Sequence, residues 1–317
     1  MPMAVTLPAT VLRRYRRFTL YNSPYTAHDR GRAVDLYPGD ATRPDPGDGD
    51  PVPAPSPVAG EVIGTRTARA PAKPYAADDD HLLLVDTAAG DGGIGARDGE
   101  SPVARILHVD PAVEPGDRVA VGDPLGRLVR AGFFAPWVAN HLHLGFRSPG
   151  ADLHRASGSL PLAPDPSLRV EPVAWDGTGT VVAAGETYAV LDAPAHPSPG
   201  DSFAGLAATV DTGAERRTGV LDGGLPHYDG GGLLWAGAAD PGCGDDSPGR
   251  AVELLGTRVG RATGRDVTWD DVTVRANGDP VRGIALAPGR ARLGVKLVGK
   301  GVDFGVGTEV TVELARE

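Results

Sequence analysis

Two histidines in the segment His141-Leu142-His143 are separated by a single residue. In an extended strand, side chains two apart leave the same face, so both imidazoles can enter one site while Leu142 packs on the other side. A second pairing lies upstream, where His28 is followed by Asp35 in His28-Asp29-Arg30-Gly31-Arg32-Ala33-Val34-Asp35. A neutral imidazole and a carboxylate are ligands suited to Zn²⁺. With one histidine of the downstream pair they make three protein ligands, the number that leaves a catalytic zinc one position for water. His108, at the end of an apolar run, is a third candidate.

These residues need elements to hold them, and the composition says which kind. Of 317 residues, 45 are Gly and 30 are Pro, aromatics are 5%, and no long helical period is found. That mixture predicts many short strands joined by turns. The hydrophobic fraction of 41% is that of a globular chain. Strands are predicted around Val58–Ile63, over Leu82–Val85, over Val103–Val109 without interruption, from Arg118, and over His141–Arg147. Residues 40–57, 66–80 and 91–100 read as loops. A break near 148–170 divides a first domain, about 1–150, from a second β-rich domain, about 165–317. In the second, segments such as Thr308-Glu309-Val310-Thr311-Val312-Glu313-Leu314 alternate apolar and polar residues, as half-buried antiparallel strands do. The run Gly223–Gly232, containing His227, reads as a flexible segment, either a binding loop or a surface turn.

Charge narrows the partners. The net charge of -10 argues against nonspecific binding to nucleic acid or anionic lipid, which need clustered cations. Lys73, Lys296 and Lys300 are the only lysines, and Asp is abundant, as in Asp78-Asp79-Asp80. Such a surface suits a salt-adapted (halophilic) protein, and a GC-rich genome would give the same bias. The single Cys243 permits no internal disulfide and reads as inert. No secretory signal and no run of membrane-spanning length is seen, so a cytoplasmic location is expected.

The candidate residues fall in an ordered series. Ser56-Pro57-Val58-Ala59-Gly60-Glu61-Val62 precedes Leu82-Leu83-Leu84-Val85 and Ala104-Arg105-Ile106-Leu107-His108. Val113-Glu114-Pro115-Gly116-Asp117-Arg118-Val119, Val121-Gly122-Asp123-Pro124-Leu125-Gly126 and Asn140-His141-Leu142-His143-Leu144 follow. From about residue 20 to 148 this resembles the catalytic domain of the lysostaphin-like zinc metallopeptidases. The resemblance implies an antiparallel β-sheet or sandwich peptidase domain, a duplicated hybrid motif, with His28, Asp35 and His143 as zinc ligands. It implies His108 and His141 as the two non-ligand histidines that assist hydrolysis of a peptide substrate. Six residues separate His28 from Asp35 where the family usually has three, which implies a longer connecting turn. Phe133, Phe134 and Trp137 stand where the family has a small-residue loop, and they should be packed, either as an anchor or as a groove wall. The alternative is a non-catalytic binding or scaffold protein that keeps the fold.

Overall fold

The computed structural model describes residues 5–39, 52–90, 94, 101–211, 215–235, 249–300, 302 and 304–316. Cys243, and the expected loops over 40–51 and over most of 91–100, lie outside the described residues. The chain is mainly β, as the Gly- and Pro-rich composition predicts, and it divides into two units. The first unit holds residues 1–18 and 25–165, and the second holds 19–24 and 166–317. Among the described residues no helix is long and apolar enough to cross a membrane.

The first unit is built on a seven-stranded sheet. Its strands are β1 (Arg17–Thr19), β2 (Ala33–Tyr37), β3 (Gly60–Arg69), β4 (Asp79–Asp86), β5 (Val103–Leu107), β6 (Arg118–Val119) and β7 (Leu142–Arg147). The order across the sheet is β1-β2-β7-β5-β4-β3-β6. Register decides which residues share a face. Val34, Leu144, Ile106 and Leu83 stand opposite one another across β2, β7, β5 and β4, and all four are buried. Burial of each such side chain is worth about 1.5–3 kcal/mol, so this face is the core. One residue along, Asp35 pairs with His143, His143 with Leu107, and Leu107 with Leu82. The polar residues therefore occupy the opposite face, and a one-residue slip would exchange the two faces. At the far end of that face, Arg105 and Arg147 reach the carbonyls of Leu153 and Arg155.

Three expectations for this unit need correction. The segment 40–57 is not all loop, because Pro53–Pro55 is a strand that pairs with Pro124–Leu128. The segment 66–80 is not all loop, because β3 runs on to Arg69 and β4 begins at Asp79. The two strands pair up to these ends, Arg69 opposite Asp79 and Ala68 opposite Asp80. The run Val103–Val109 is not one strand. It breaks at His108, and Val109–Pro111 pairs instead with Pro124–Leu128 in a separate small sheet.

In the second unit, β8 (Phe203–Asp211), β9 (Arg216–Leu225), β10 (Gly230–Trp235), β11 (Arg250–Leu254), β12 (Thr257–Thr263) and β13 (Asp266–Trp269) form a closed barrel. Its order is β8-β11-β12-β13-β10-β9, and pairing of β8 with β9 closes the ring. Closure removes the unpaired strand edges that an open sheet would expose. Leu221, Leu233, Val252, Val259 and Val267 belong to the core cluster of this unit. Gly223–Gly232 is not a flexible loop: most of it lies in β9 and β10, with only residues 226–229 between them. The glycines there admit rings. A Cβ on Gly231 would lie 2.1 Å from the Trp269 indole, and one on Gly232 would lie 2.2 Å from the Tyr21 ring.

Residues 19–24 strap onto this unit through Asp222, whose carboxylate is fully buried. It accepts a hydrogen bond from the Thr19 hydroxyl and another, 2.7 Å long, from the Leu20 N–H. Tyr21 donates its hydroxyl to Asp266 Oδ1 at 2.6 Å. Asp222→Ala strands both donors in a dry place, at about 1–3 kcal/mol. Thermal unfolding of the second unit is expected to shift down by roughly 2–4 °C per kcal/mol for its size. An unaltered melting curve would mean that the strap contributes nothing.

His227 supplies a pH prediction. Burial, with the Arg282 charge adding to it, pushes its imidazole down to about 3. The unfolded side chain titrates near ~6.5, so between those values the unfolded chain binds more protons. Stability from neutral His227 is complete above about pH 6.5 and is lost as the pH falls toward 3, by at most about 1.4 kcal/mol per pH unit. His227→Gln is expected to narrow the difference between melting temperatures at pH 7 and pH 4.5. Equal differences in variant and parent would contradict the assignment.

Candidate metal centre

Asp35 and His143 reach the polar face of the sheet by strand alternation, side by side on β2 and β7. His28 comes from the turn before β2, and here the long spacing is explained. A 3-10 turn over Thr26–Gly31 starts with the His28 N–H bonded to the Tyr25 carbonyl at 2.9 Å. Asp29 is then extended, while Arg30 and Gly31 take left-handed conformations with φ of 54° and 61°. This double reversal uses the extra residues to bring His28 back over the face that carries Asp35.

The three side chains meet. His28 Nε2 lies 3.1 Å from Asp35 Oδ1 and 3.0 Å from His143 Nδ1, and His143 Nδ1 lies 3.1 Å from the same Oδ1. Two ring nitrogens and a carboxylate oxygen thus bring lone pairs to one small triangle. Atoms about 3 Å apart can share an ion at the ~2.0–2.2 Å of zinc–nitrogen and zinc–oxygen bonds. The donor set fits a divalent transition metal, and among the described residues this trio is the group with ligand geometry.

The electrostatics keep the donors in the required state. Burial pushes the His143 and His141 imidazoles down to about 4, against the pull of Asp35. Burial acts to raise Asp35, but His141, His28 and the hydrogen bond from His143 outweigh it and hold the carboxyl well below the usual range. Near neutral pH the site therefore presents the Asp35 carboxylate with neutral His141 and His143, and a carboxylate and a neutral imidazole are the states in which these groups bind a metal.

His141 lies beside the trio. Its Nδ1 donates to the Ala139 carbonyl at 2.9 Å, which turns Nε2 toward Asp35 Oδ2, 3.4 Å away. His108 arrives by a different device. Leu107 is on the polar face, so a continuing strand would send His108 to the core. Instead His108 adopts φ of 68°, a conformation that costs a non-glycine residue about 1–2 kcal/mol. Its N–H bonds to the His81 carbonyl at 3.3 Å, and its own carbonyl accepts from the Val129 N–H at 2.9 Å. The break puts its ring 5.3 Å from His141 and 6.0 Å from His143.

The sequence reading missed Asp80. It was counted with Asp78 and Asp79 as acidic surface, yet it is buried and bonds His108 Nδ1 through Oδ2 at 2.8 Å. A signal was there: Asp80 alternates with Leu82 and Leu84, which places it on the face of β4 that those two share with Leu107 and His143.

The aromatic stretch covers the site. The Phe134 ring stacks on His141 at 4.4 Å and 17°, and meets His108 edge-on at 4.7 Å. Tyr25 and Tyr75 donate their hydroxyls to the carbonyls of Phe133 and Phe134. Arg130 holds the carbonyls of Val138 and Pro136. Phe134 and Trp137 are buried and Phe133 is half-buried. The remaining histidines stay outside the centre: His81 contacts Thr67, His154 is exposed, and His196 contacts Gly289.

Comparison with known families finds two matches. Residues 6–164 match the family described as "Domain of unknown function (DUF8155) N-terminal domain", and residues 171–315 match "Domain of unknown function (DUF8155) C-terminal domain". No curated protein and no solved structure matches the chain. With the first match alone spanning half of its length, and the second most of the remainder, the chain belongs to the DUF8155 family.

Proposed function

We propose that the first unit is a zinc-dependent peptidase, a metallo-endopeptidase-like hydrolase of peptide or amide bonds similar to the lysostaphin-like enzymes. The observation that carries this reading is the triangle of His28 Nε2, Asp35 Oδ1 and His143 Nδ1, with edges of 3.0–3.1 Å. Zinc held by these three would supply a Lewis acid that brings the pKa of water near ~7 and polarises the scissile carbonyl.

The chain's own groups do the rest. Asp35 keeps its second oxygen, Oδ2, toward His141. His141 and His108 flank the ligands, and an imidazole offers one nitrogen that can accept a proton and one that can give it. One takes a proton as water adds to the carbonyl carbon, and a proton is returned to the leaving amine as the C–N bond breaks. A protonated imidazole also favours the oxyanion of the tetrahedral intermediate. The substrate in this reading is a peptide or small amide met in the cytoplasm, with no role for nucleic acid or membrane.

A second reading, a non-catalytic protein that keeps a metal for binding or scaffolding, is favoured by one observation. The five polar residues are each no more than 8% exposed, and Phe134 lies flat over His141. A site covered in this manner leaves little room for a substrate beside the metal, which a catalytic centre has to admit.

Metal analysis of the purified chain, followed by peptide-library cleavage with and without chelator, separates the two. One zinc per chain with chelator-sensitive cleavage is expected, and zinc without cleavage selects the scaffold. His143→Ala is expected to lose the metal, while His141→Ala keeps it and loses hydrolysis. Equal zinc loss in both variants would refute the division of roles.

Trp137 is buried within the covering segment, which favours anchoring over substrate contact. Trp137→Ala is expected to cost about 3–5 kcal/mol of stability, with activity falling in proportion. Near-normal melting with a raised KM would instead assign Trp137 to the substrate groove.

A further inference from the structure

We infer that Asp80 is the positioning residue of the centre: its buried carboxylate takes the Nδ1–H of His108 and holds the imidazole with an unprotonated Nε2 turned to the metal site. This deepens the peptidase reading and rests on it for its catalytic meaning, though not for its geometry.

Four observations converge on the pair. Asp80 is 2% exposed, on the same face of β4 as Leu82 and Leu84. A carboxylate in such a place stays only if hydrogen bonds satisfy it. Both oxygens are engaged: Oδ2 with His108 Nδ1 at 2.8 Å, and Oδ1 with the His81 N–H at 2.8 Å. Second, His108 departs from strand geometry at φ of 68°. A backbone held in that region needs surroundings that over-determine it. The Asp80 bond is one such constraint, beside the two backbone bonds of His108. Third, the ring that this break presents stands among His141, His143 and Phe134. Fourth, Asp80 is not in the ligand trio, so its carboxylate is not needed for the metal.

The chemistry follows from the imidazole itself. A neutral ring carries one N–H, and the partner of one nitrogen decides the state of the other. A carboxylate is an acceptor, so it fixes the proton on Nδ1 and leaves a lone pair on Nε2. That nitrogen can then take the proton released when water adds to the carbonyl and return it to the amine nitrogen. With the opposite tautomer, Nε2 would carry a proton already and could not accept one. Asp80 touches neither substrate nor ligand, and acts through His108.

The test is made on the full chain with ¹⁵N-histidine, in zinc-loaded and zinc-free form, by long-range ¹⁵N–¹H correlation. Eight histidines give a spectrum that can be assigned. His108 is expected to show a protonated Nδ1 and a bare Nε2 in both forms. A protonated Nε2 with a bare Nδ1 would overturn the inference, and this measurement needs no variant. Asp80→Asn keeps the shape and removes the charge. It is expected to bind zinc at the parental stoichiometry, to change the His108 shifts, and to lower kcat about 10- to 100-fold with KM within about two-fold, the scale of outer-shell partners. Rescue is expected in Asp80→Glu if its longer arm regains the parental His108 shifts. A folded, zinc-loaded Asp80→Asn chain with parental kcat would overturn the catalytic role. If the parent binds zinc but cleaves nothing, the peptidase reading falls, and the His108 tautomer still decides the assignment of Asp80.

Discussion

The register of β7 between β2 and β5 is the constraint on which the site depends. Because side chains alternate with a period of two, pairing His143 with Asp35 and with Leu107 settles the facing of every residue on three strands at once. The same pairing sends Val34, Leu144 and Ile106 into the core. The hydrophobic effect thus enforces the position of the polar residues without touching them. Any shift that improved the metal triangle at the expense of register would place Leu144 among the histidines.

The polar face adds two departures from regular structure, each bringing in a residue that strand geometry would have lost. The turn after Tyr25 returns His28, and the left-handed break at His108 re-aims a side chain that was bound for the core. Both are local costs met by surrounding hydrogen bonds and packing. Irregular backbone concentrated at a cluster of titratable groups is what strain serving a site looks like.

Much of this was legible in the sequence because it follows from period and composition. The same-face placement of His141 and His143 is a property of any strand. The β-rich character follows from the Gly and Pro content with its alternating runs. The spacing of His28 and Asp35 said that a longer turn was needed. What could not be read depends on partners far along the chain. Asp80 looked like its neighbours Asp78 and Asp79, and its alternation with Leu82 and Leu84 tells only once the strand is known to begin at Asp79. Nothing local marks His108 as left-handed, since Val103–Val109 is a plausible uninterrupted strand. The glycines of β9 and β10 looked flexible because the rings that fill their missing side chains, Tyr21 and Trp269, come from elsewhere.

The strap of residues 19–24 gives the second unit a discontinuous sequence. The Thr19 hydroxyl and the Leu20 amide find their acceptor in Asp222, some 203 and 202 positions later. During synthesis at ~5–20 residues per second, that acceptor is made about 10–40 s after its donors. Throughout that interval the strap leaves the ribosome without its barrel, while the chain on both sides of it belongs to the unit that is completed first. A fragment ending at residue 165 would carry the strap permanently in that unmatched condition, and one beginning at 166 would hold Asp222 without the donors that satisfy it. The second unit is therefore not a severable stretch of sequence, because the donors that satisfy Asp222 lie some 200 positions before it.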